Sequence, residues 1–185
     1  MPNAVRVWTR EEVLALPDDG KRYELVDGEL LVSSSPRGVH QRTVMEFLLR
    51  LAPYVRAHGL GAVSMSPADL DFRSGQVLQP DLFIGEPVNG REPIEWSDFN
   101  IPTLVIEVLS PSTARSDRVV KRKKFQRVGV PEYWIVDPDA RLVDVWRPDD
   151  VRSTTVDGVL RWKPTVSVPA LDIDLPGLFR LVWQD

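Results

Sequence analysis

The sequence contains no cysteine and only two histidines, His40 and His58. Without cysteine the chain cannot form disulfides or thiolate zinc sites, and two histidines are too few for a typical histidine-rich metal cluster. It also has no apolar run approaching about eighteen residues and no charged-then-apolar leader, so we expect no membrane span, no secretory signal and a cytoplasmic protein. Any metal site in this protein must therefore be built from oxygen ligands.

The net charge is small and negative over the whole chain but large and positive over one segment. The net charge of −4 argues against a general nucleic-acid coat protein. Between Arg115 and Arg127 there are seven basic residues and one acid, Asp117, so this segment carries a net charge of +6. Such a run is often the solvated face of a helix, but it also offers a surface that attracts anions.

Two carboxylates lie inside apolar segments. Glu107 interrupts the run from Leu104 to Leu109, which reads as a strand buried on both faces, and Asp81 follows Pro80 in another such run. Burying an unpaired charge costs on the order of several kcal/mol, so each carboxylate needs a partner. Glu107 alone could be paired with an arginine at a strand end, and Asp81 alone could be a turn residue. Together they favour a divalent cation such as Mg²⁺, which typically takes one or two carboxylates plus water and substrate phosphate.

The first part of the chain predicts a helix, a hairpin and a second helix. Thr9 and Glu12 form a capping-box pattern that opens a helix through Leu16. The runs 23–26 and 29–32 flank Asp-Gly, which predicts a hairpin with Glu24 on its first strand. Apolar spacings of three and four predict an amphipathic helix over 40–57, with a kink or an early stop at Pro53.

The rest of the chain predicts a mixed α/β sheet in a single domain over 1–185. Strands are expected over 62–72 and 76–84, joined near Ser74-Gly75, and over 104–109; the basic helix spans 116–128 and is closed by Gly129. The next strand, 132–137, should pair parallel with 104–109 because the helix crosses over between them. Further short strands follow (141–146, 153–156, 160–163 and 171–173), the stretch 85–102 is expected to be a loop, and Pro169, Pro176 and Gly177 punctuate the tail. The fold class is an α/β core of helix, three-stranded antiparallel meander, helix and parallel strand, with hairpins added at both ends.

Several strings of residues resemble a known family. They are Tyr-Glu-Leu-Val-Asp-Gly-Glu from Tyr23, His40 at a helix start, Pro-Asp-Leu from Pro80, Glu-Val-Leu-Ser-Pro-Ser-Thr from Glu107, Asp117 four residues before Lys121, and Gly-Val-Pro-Glu-Tyr-Trp-Ile-Val-Asp-Pro from Gly129. From about Thr9 to Trp146 the sequence resembles the Uma-two family of the PD-(D/E)XK restriction-endonuclease-like superfamily. The resemblance implies a metal-dependent nuclease fold. The sequence departs from the superfamily pattern at Leu109, where a lysine is expected, and Phe125 replaces an expected tyrosine.

The resemblance also implies a set of site residues. Mg²⁺ or Mn²⁺ would be held by Asp81, Glu107 and the carbonyl of Val108, and Lys121 on the following helix would replace the lysine missing at Leu109. Glu24 and His40 would complete the catalytic group. Lys121, Phe125 and Val128 share one helical stripe that should face the sheet. Two alternatives stay open: Lys121 extends to solvent, and His40 is a cap or packing residue.

Basic residues beside this site are candidates for contacts with the nucleic-acid backbone, with DNA the favoured substrate. They are Arg115, Arg118, Arg122 and Lys123. One alternative is a catalytically silent binding or dimerisation module, which the acidic remainder of the chain favours. The other is a metal-dependent hydrolase of a different substrate. A symmetric homodimer is a reasonable expectation for either kind of protein.

Overall fold

The computed structural model describes residues 6–71, 75–91, 94–96 and 99–185. The chain opens with helix α1 (Arg10–Leu14), the hairpin of β1 (Arg22–Val26) and β2 (Glu29–Ser33), and the long helix α2 (Gly38–Ala57). Thr9 and Glu12 form the predicted capping box at α1. The hairpin turns at Asp27 and Gly28, both of which have positive φ, as an Asp-Gly turn requires. These elements confirm the prediction for the first third of the chain.

A central sheet follows, with the strand order β3-β4-β5-β6-β7-β8 among the described residues. Its strands are β3 (Ala62–Met65), β4 (Leu82–Gly85), β5 (Leu104–Val108), β6 (Glu132–Asp137), β7 (Leu142–Trp146) and β8 (Thr154–Val156). β5 and β6 pair in parallel, and the other neighbours pair antiparallel. The crossover between β5 and β6 is a π-helical segment (Ser116–Lys121) that continues as α3 (Arg122–Val128). This is the predicted fold class: an antiparallel meander, a helix and a parallel strand.

The sheet is covered on both faces by apolar side chains. On one face α2 and the C-terminal elements pack against alternate residues of β5 and β6, including Ile106 and Trp134. On the other face α3 and the N-terminal hairpin pack against the intervening residues, including Val105 and Tyr133. Because both faces are buried, β5 reads as a continuous apolar run rather than an alternating one.

Two strands are shorter than predicted. The expected strands 62–72 and 76–84 are regular only as β3 and β4, and the chain between them is held by isolated backbone pairs, Leu70 with Leu78 and Leu25 with Val77. Pro67 and Pro80 explain the interruption, because proline cannot donate a hydrogen bond to a ladder. Phe72 and Ser74 lie outside the described residues. The pair of Leu25 with Val77 ties the N-terminal hairpin to the sheet region that carries Asp81.

Two helical features differ from the prediction. The early stop at Pro53 is wrong: α2 continues to Ala57, because Pro53 is on the exposed face, where water can satisfy the carbonyl that loses its partner. Helix α4 (Leu175–Trp183) was not predicted. It follows the antiparallel pair β9 (Val159–Trp162) and β10 (Leu171–Asp174), which correspond to two of the expected short strands. Proline is compatible with the first turn of a helix, so Pro176 starts α4 rather than preventing it. No helix in the described part of the chain is both long and apolar enough to cross a membrane.

Candidate functional site

Glu107 lies in the middle of the sheet, and the alternation of β5 decides where its side chain points. All of β5 is buried, and successive side chains point to opposite faces, so Glu107 shares a face with Val105 and Leu109. Phe125 of α3 packs in the apolar cluster on this same face. Glu107 therefore points toward the crossover helix rather than toward α2.

Lys121 meets Glu107 on that face. The Lys121 side chain is only 1% exposed, so it does not extend to solvent. Its Nζ lies 2.8 Å from Glu24 Oε2, 3.0 Å from Glu107 Oε1 and 3.3 Å from Asp117 Oδ1. π-Helical turns are rare and are frequently found at functional sites, and this one places Asp117 and Lys121, four residues apart, on one side of the helix. Three carboxylates from three different elements thus surround one ammonium group.

Asp81 forms a second centre beside the first, just before β4 begins. Its Oδ2 accepts hydrogen bonds from the Val108 backbone N–H (2.9 Å) and from His40 Nε2 (3.0 Å). Its Oδ1 accepts one from Arg22 Nη1 (2.9 Å). Asp81 is buried, and its partners come from β5, the first turn of α2, and β1. The carboxylate after Pro80 is therefore not a turn residue at the surface.

A cavity of about 360 Å³ opens onto both centres. Asp81, Glu107, Lys121 and His40 line it, together with Arg22. Glu24 is not in the lining formed by the described residues. It is buried, contacts Lys121, and accepts the backbone N–H of Gln79 at 2.8 Å. Four of the five predicted catalytic residues thus share one cavity, and the fifth reaches it through Lys121.

Carboxyl groups outnumber cationic side chains around the two centres of the described site. The carboxylates of Glu24, Asp81, Glu107 and Asp117 face two cationic side chains, Lys121 and Arg22. Burial raises the pKa of Glu107 well above its usual value, the neighbouring carboxylates raise it further, and Lys121 opposes them. Burial likewise raises the pKa of Asp117. The described part of the site therefore has more carboxyl groups than cationic side chains, and burial favours the protonated form of two of them.

Asp81 and Lys121 are shifted in the opposite sense, toward their charged forms. Burial alone would raise the pKa of Asp81, but the hydrogen bond and charge of His40 and the charges of Arg22 and Lys121 hold it well below its usual value. Burial alone would lower the pKa of Lys121, but Glu107 and the other carboxylates hold it well above its usual value. An ionised Asp81 beside an ionised Lys121 is the combination that cation and phosphate chemistry needs.

Comparison with known proteins identifies the family. The family model of Uma2, described as "Putative restriction endonuclease", matches residues 10–176. The chain belongs to the Uma2 family. The resemblance seen in the sequence is thereby confirmed.

A solved structure supports the fold of this Uma2 chain. The crystal structure of a "putative nuclease belonging to DUF820" from Anabaena variabilis aligns with a TM-score of 0.76 and 18% identity, covering 95% of this chain and 99% of that one. At this identity the likeness concerns the fold alone. It confirms the mixed α/β architecture, which is consistent with a restriction-endonuclease-like fold. No curated protein matches the sequence.

The donors of the Uma2 site fit a hard divalent cation by chemistry and by charge. All the candidate ligands are oxygen atoms, and the surplus of carboxylates over cations is what a divalent ion would neutralise. Within the described residues no three His, Cys, Asp or Glu side chains are already arranged as a metal cage. Such an ion would accordingly take Asp81 and Glu107 with backbone carbonyl and water oxygens, which is the usual manner of Mg²⁺. The Val108 N–H is engaged with Asp81, while its carbonyl as a ligand stays a prediction.

Sequence reasoning missed two residues at the site, Arg22 and Asp117. Arg22 lies two residues before Glu24, so the alternation of β1 places both side chains on one face of the hairpin. Asp117 is four residues before Lys121, a spacing that puts it beside the lysine. The sequence analysis used this spacing for the family resemblance but assigned Asp117 no role at the site. Both spacings are present in the sequence, but only the three-dimensional contacts show that Arg22 and Asp117 belong to the site.

The four residues predicted to contact nucleic acid lie outside the cavity lining. Arg118 is ion-paired with Asp137 and Asp144, at 3.1 and 2.8 Å, on the outer side of the crossover. The guanidinium of Arg122 lies 4.5 Å from the centre of the Trp146 ring. Arg115 and Lys123 are exposed. Contact with the nucleic-acid backbone stays a prediction for these residues, and it would occur beside the cavity rather than in it.

Proposed function

We propose that this Uma2 protein is a metal-dependent nuclease that hydrolyses phosphodiester bonds, with DNA as the favoured substrate and Mg²⁺ or Mn²⁺ as the cofactor. The observation that carries the proposal is the position of Lys121. It reaches Glu107 from the crossover helix and so replaces the lysine that the superfamily pattern expects at position 109, where this chain has leucine. An ammonium, Glu107, Asp81 and His40 then share one cavity.

Asp81, Glu107 and the Val108 carbonyl would hold the divalent cation. When bound, this cation supplies a Lewis acid that polarises the phosphate and makes a nearby water more acidic. The protein prepares Asp81 for this task, because the Val108 N–H and His40 fix one carboxylate oxygen and stabilise its charged form. In the reaction, the oxygen of water bonds to phosphorus, the P–O ester bond breaks, and the leaving oxygen ends with a proton.

Lys121 supplies fixed positive charge next to the reacting phosphate. Its ammonium is held by Glu24, Glu107 and Asp117, so it needs no reorganisation as negative charge develops on the phosphate oxygens. Glu24 acts behind Lys121 as a positioning residue. His40 donates to Asp81 through Nε2, and its Nδ1 is buried with no hydrogen-bond partner among the described residues. His40 therefore acts through Asp81 as a positioning residue.

The test is a cleavage assay on single-stranded, duplex and branched DNA and on RNA, with Mg²⁺ or Mn²⁺. Asp81→Asn and Lys121→Ala should each lower cleavage by about 10²-fold or more. Asp144→Asn is the matched control, since Asp144 is a buried aspartate paired with Arg118 outside the cavity. It should cleave like the wild type.

Two outcomes would count against the proposal. Equal cleavage by wild type, Asp81→Asn and Lys121→Ala would show that the activity comes from another site or from a contaminant. Metal binding detected by calorimetry without cleavage of any nucleic acid would favour the silent binding module. That alternative has its own structural support, because the four carboxylates already have cationic or N–H partners within the described part of the chain.

A further inference from the structure

Arg22 is the cation that contacts Asp81 from the cavity. Its Nη1 donates to Asp81 Oδ1 at 2.9 Å and to the carbonyl of Gln79 at 3.1 Å. The side chain lines the cavity and is 22% exposed, whereas that of Lys121 is 1% exposed. Arg22 can therefore leave its partner for the cavity without unpacking the core.

The contact made by Arg22 uses only part of the guanidinium. Among the described residues both of its hydrogen bonds come from Nη1. A guanidinium has five N–H donors in a planar fork that suits the oxygen pairs of carboxylate and phosphate groups. Asp81 Oδ1, in turn, is the oxygen not taken by the Val108 N–H and His40. The oxygen that a cation would need is thus the one that Arg22 covers.

We propose that Arg22 is a removable counter-cation of Asp81, which occupies Oδ1 in the metal-free protein and turns to a substrate phosphate when a divalent ion takes its place. This inference rests on the proposed function, since it assumes a cation at Asp81 and a phosphate in the cavity. It adds a residue that the sequence analysis did not place at the site. It also explains how the Asp81 charge is held in the interior before the metal binds.

The exchange gives Arg22 two opposite effects. The metal must displace a charge-assisted hydrogen bond, so Arg22 weakens metal binding. The released guanidinium then contacts the phosphate, so Arg22 speeds cleavage. Removing it should tighten metal binding and slow the reaction. A merely structural role would weaken both.

Calorimetric titration of Mn²⁺ into the full chain tests the exchange. Arg22→Gln should bind Mn²⁺ about tenfold more tightly than the wild type, because it lacks the competing hydrogen bond. Lys21→Gln is the matched control: Lys21 also lines the cavity, but it pairs with Asp19 at 2.7 Å. Its loss removes the same charge without freeing Asp81, so Mn²⁺ affinity should change by less than about threefold. At saturating Mn²⁺, cleavage of a single-stranded oligonucleotide by Arg22→Gln should fall by about tenfold or more.

The possible results separate this inference from the proposed function. If the wild type binds Mn²⁺ and Arg22→Gln binds it no more tightly, the exchange is wrong and the metal site stands. An equal gain in Lys21→Gln would also overturn the exchange, since it would show a general charge effect. If none of the three proteins binds Mn²⁺, the proposed function fails and the inference fails with it.

A measurement on the wild type covers the case in which Arg22→Gln does not fold. In a protein with ¹⁵N-labelled arginine, the side-chain signals of Arg22, assigned with Arg22→Lys, should shift on titration with Mg²⁺ as the bond to Asp81 is lost. Signals that do not respond to saturating Mg²⁺ would overturn the exchange. The signals of Arg161, which pairs with Asp172 on β9 and β10, should remain unchanged and serve as the internal reference.

Discussion

The two sides of the crossover helix carry the same kinds of residue in different surroundings. On the inner side Lys121 is buried and held by three carboxylates. On the outer side Lys123, two residues later, is exposed, and Arg122 stacks over Trp146. A run of basic residues is therefore not one functional unit. Burial decides which lysine is part of an interior charge cluster and which belongs to the surface.

Replacement of the inner lysine should have the largest effect on stability. Lys121→Met leaves Glu24, Glu107 and Asp117 without their cation in the core, and breaking a buried pair in this way costs about 3–5 kcal/mol. Lys123→Met, the outer counterpart, should change the free energy of unfolding by less than about 0.5 kcal/mol. Urea denaturation at neutral pH measures both. Similar losses for the two variants would erase the distinction between the inner and outer sides.

Added metal should stabilise the folded protein through the cavity on the inner side of the crossover helix, and not through its outer side. At about 100 times its dissociation constant, a ligand that binds only the folded state stabilises it by about 2.7 kcal/mol, which corresponds to roughly 5–10 °C in Tm for a chain of this size. We expect this increase on adding Mg²⁺ to the wild type and its loss on adding EDTA. Asp81→Asn should show no increase, and Asp144→Asn should show all of it. An increase in Asp81→Asn equal to that in the wild type would place the metal elsewhere.

Glu107 should make the metal-free protein less stable as pH rises. Its pKa is raised in the folded state, so the native protein holds a proton that the unfolded chain releases above about pH 4.3. Its favourable contribution is thus fully present below that pH and is lost as pH rises through the folded pKa, with a slope of at most about 1.4 kcal/mol per pH unit. Glu107→Gln should remove this slope and lose cleavage. Urea denaturation in EDTA between pH 5 and 9 tests the expectation, and an unchanged slope would contradict it.

Replacement of Asp27 should have the smallest effect on stability, because Asp27 forms its ion pairs at the surface, with one buried and one exposed cation of α3. It pairs with Lys124 at 3.0 Å and with Arg127 at 2.9 Å, and its side chain is nearly half exposed. Burial alone would raise the pKa of Asp27, but these two cations lower it, so the stabilisation is present above about pH 4 and is lost as pH falls through the folded pKa.

Asp27→Asn should therefore cost less than about 1 kcal/mol at pH 7. The cost should be smaller at pH 2 than at pH 7, because the wild-type carboxylate takes up a proton as the pH falls. Urea denaturation of both proteins at the two pH values provides the comparison. A loss of the same size at both pH values would mean that Asn changes the turn, which needs positive φ at this position, rather than the ion pairs.

Much of the fold could be predicted because local patterns and tertiary packing agree. The capping box at Thr9, the Asp-Gly hairpin and the apolar run of β5 each indicated the element that the structure contains. Predictions failed where one residue type has two meanings. Pro53 is tolerated inside α2 because it faces solvent, and Pro176 begins α4 because it stands in the first turn. Strands β3 and β4 are shorter than expected because Pro67 and Pro80, which lie between them, interrupt the pairing. A count of apolar residues along the sequence does not show this effect.

The site was predictable in part for a similar reason. Carboxylates stand out in apolar strands, so Asp81 and Glu107 could be identified before any contact was known. Asp117 stood in a segment dominated by basic residues, and Arg22 in a hairpin strand that already had Glu24 as its candidate. Asp117 gains its place only because Lys121 beside it meets Glu24 and Glu107 from two other elements. Arg22 meets Asp81 at a separation of 59 residues along the chain, which no local spacing can reveal.

The sequence by itself determined the order of the elements up to the C-terminal helix α4, the oxygen chemistry of any metal site and the two carboxylates that need partners. These follow from alternation, from helical spacing and from the free-energy cost of burying an isolated charge. Only the tertiary structure decided which partners they have. It brought Lys121 under Glu107 by a π-helical turn, placed Arg22 and His40 on Asp81, and left the neighbouring cations outside. Charges interact through space over a few ångströms, and that distance is set by packing between elements rather than by position in the chain.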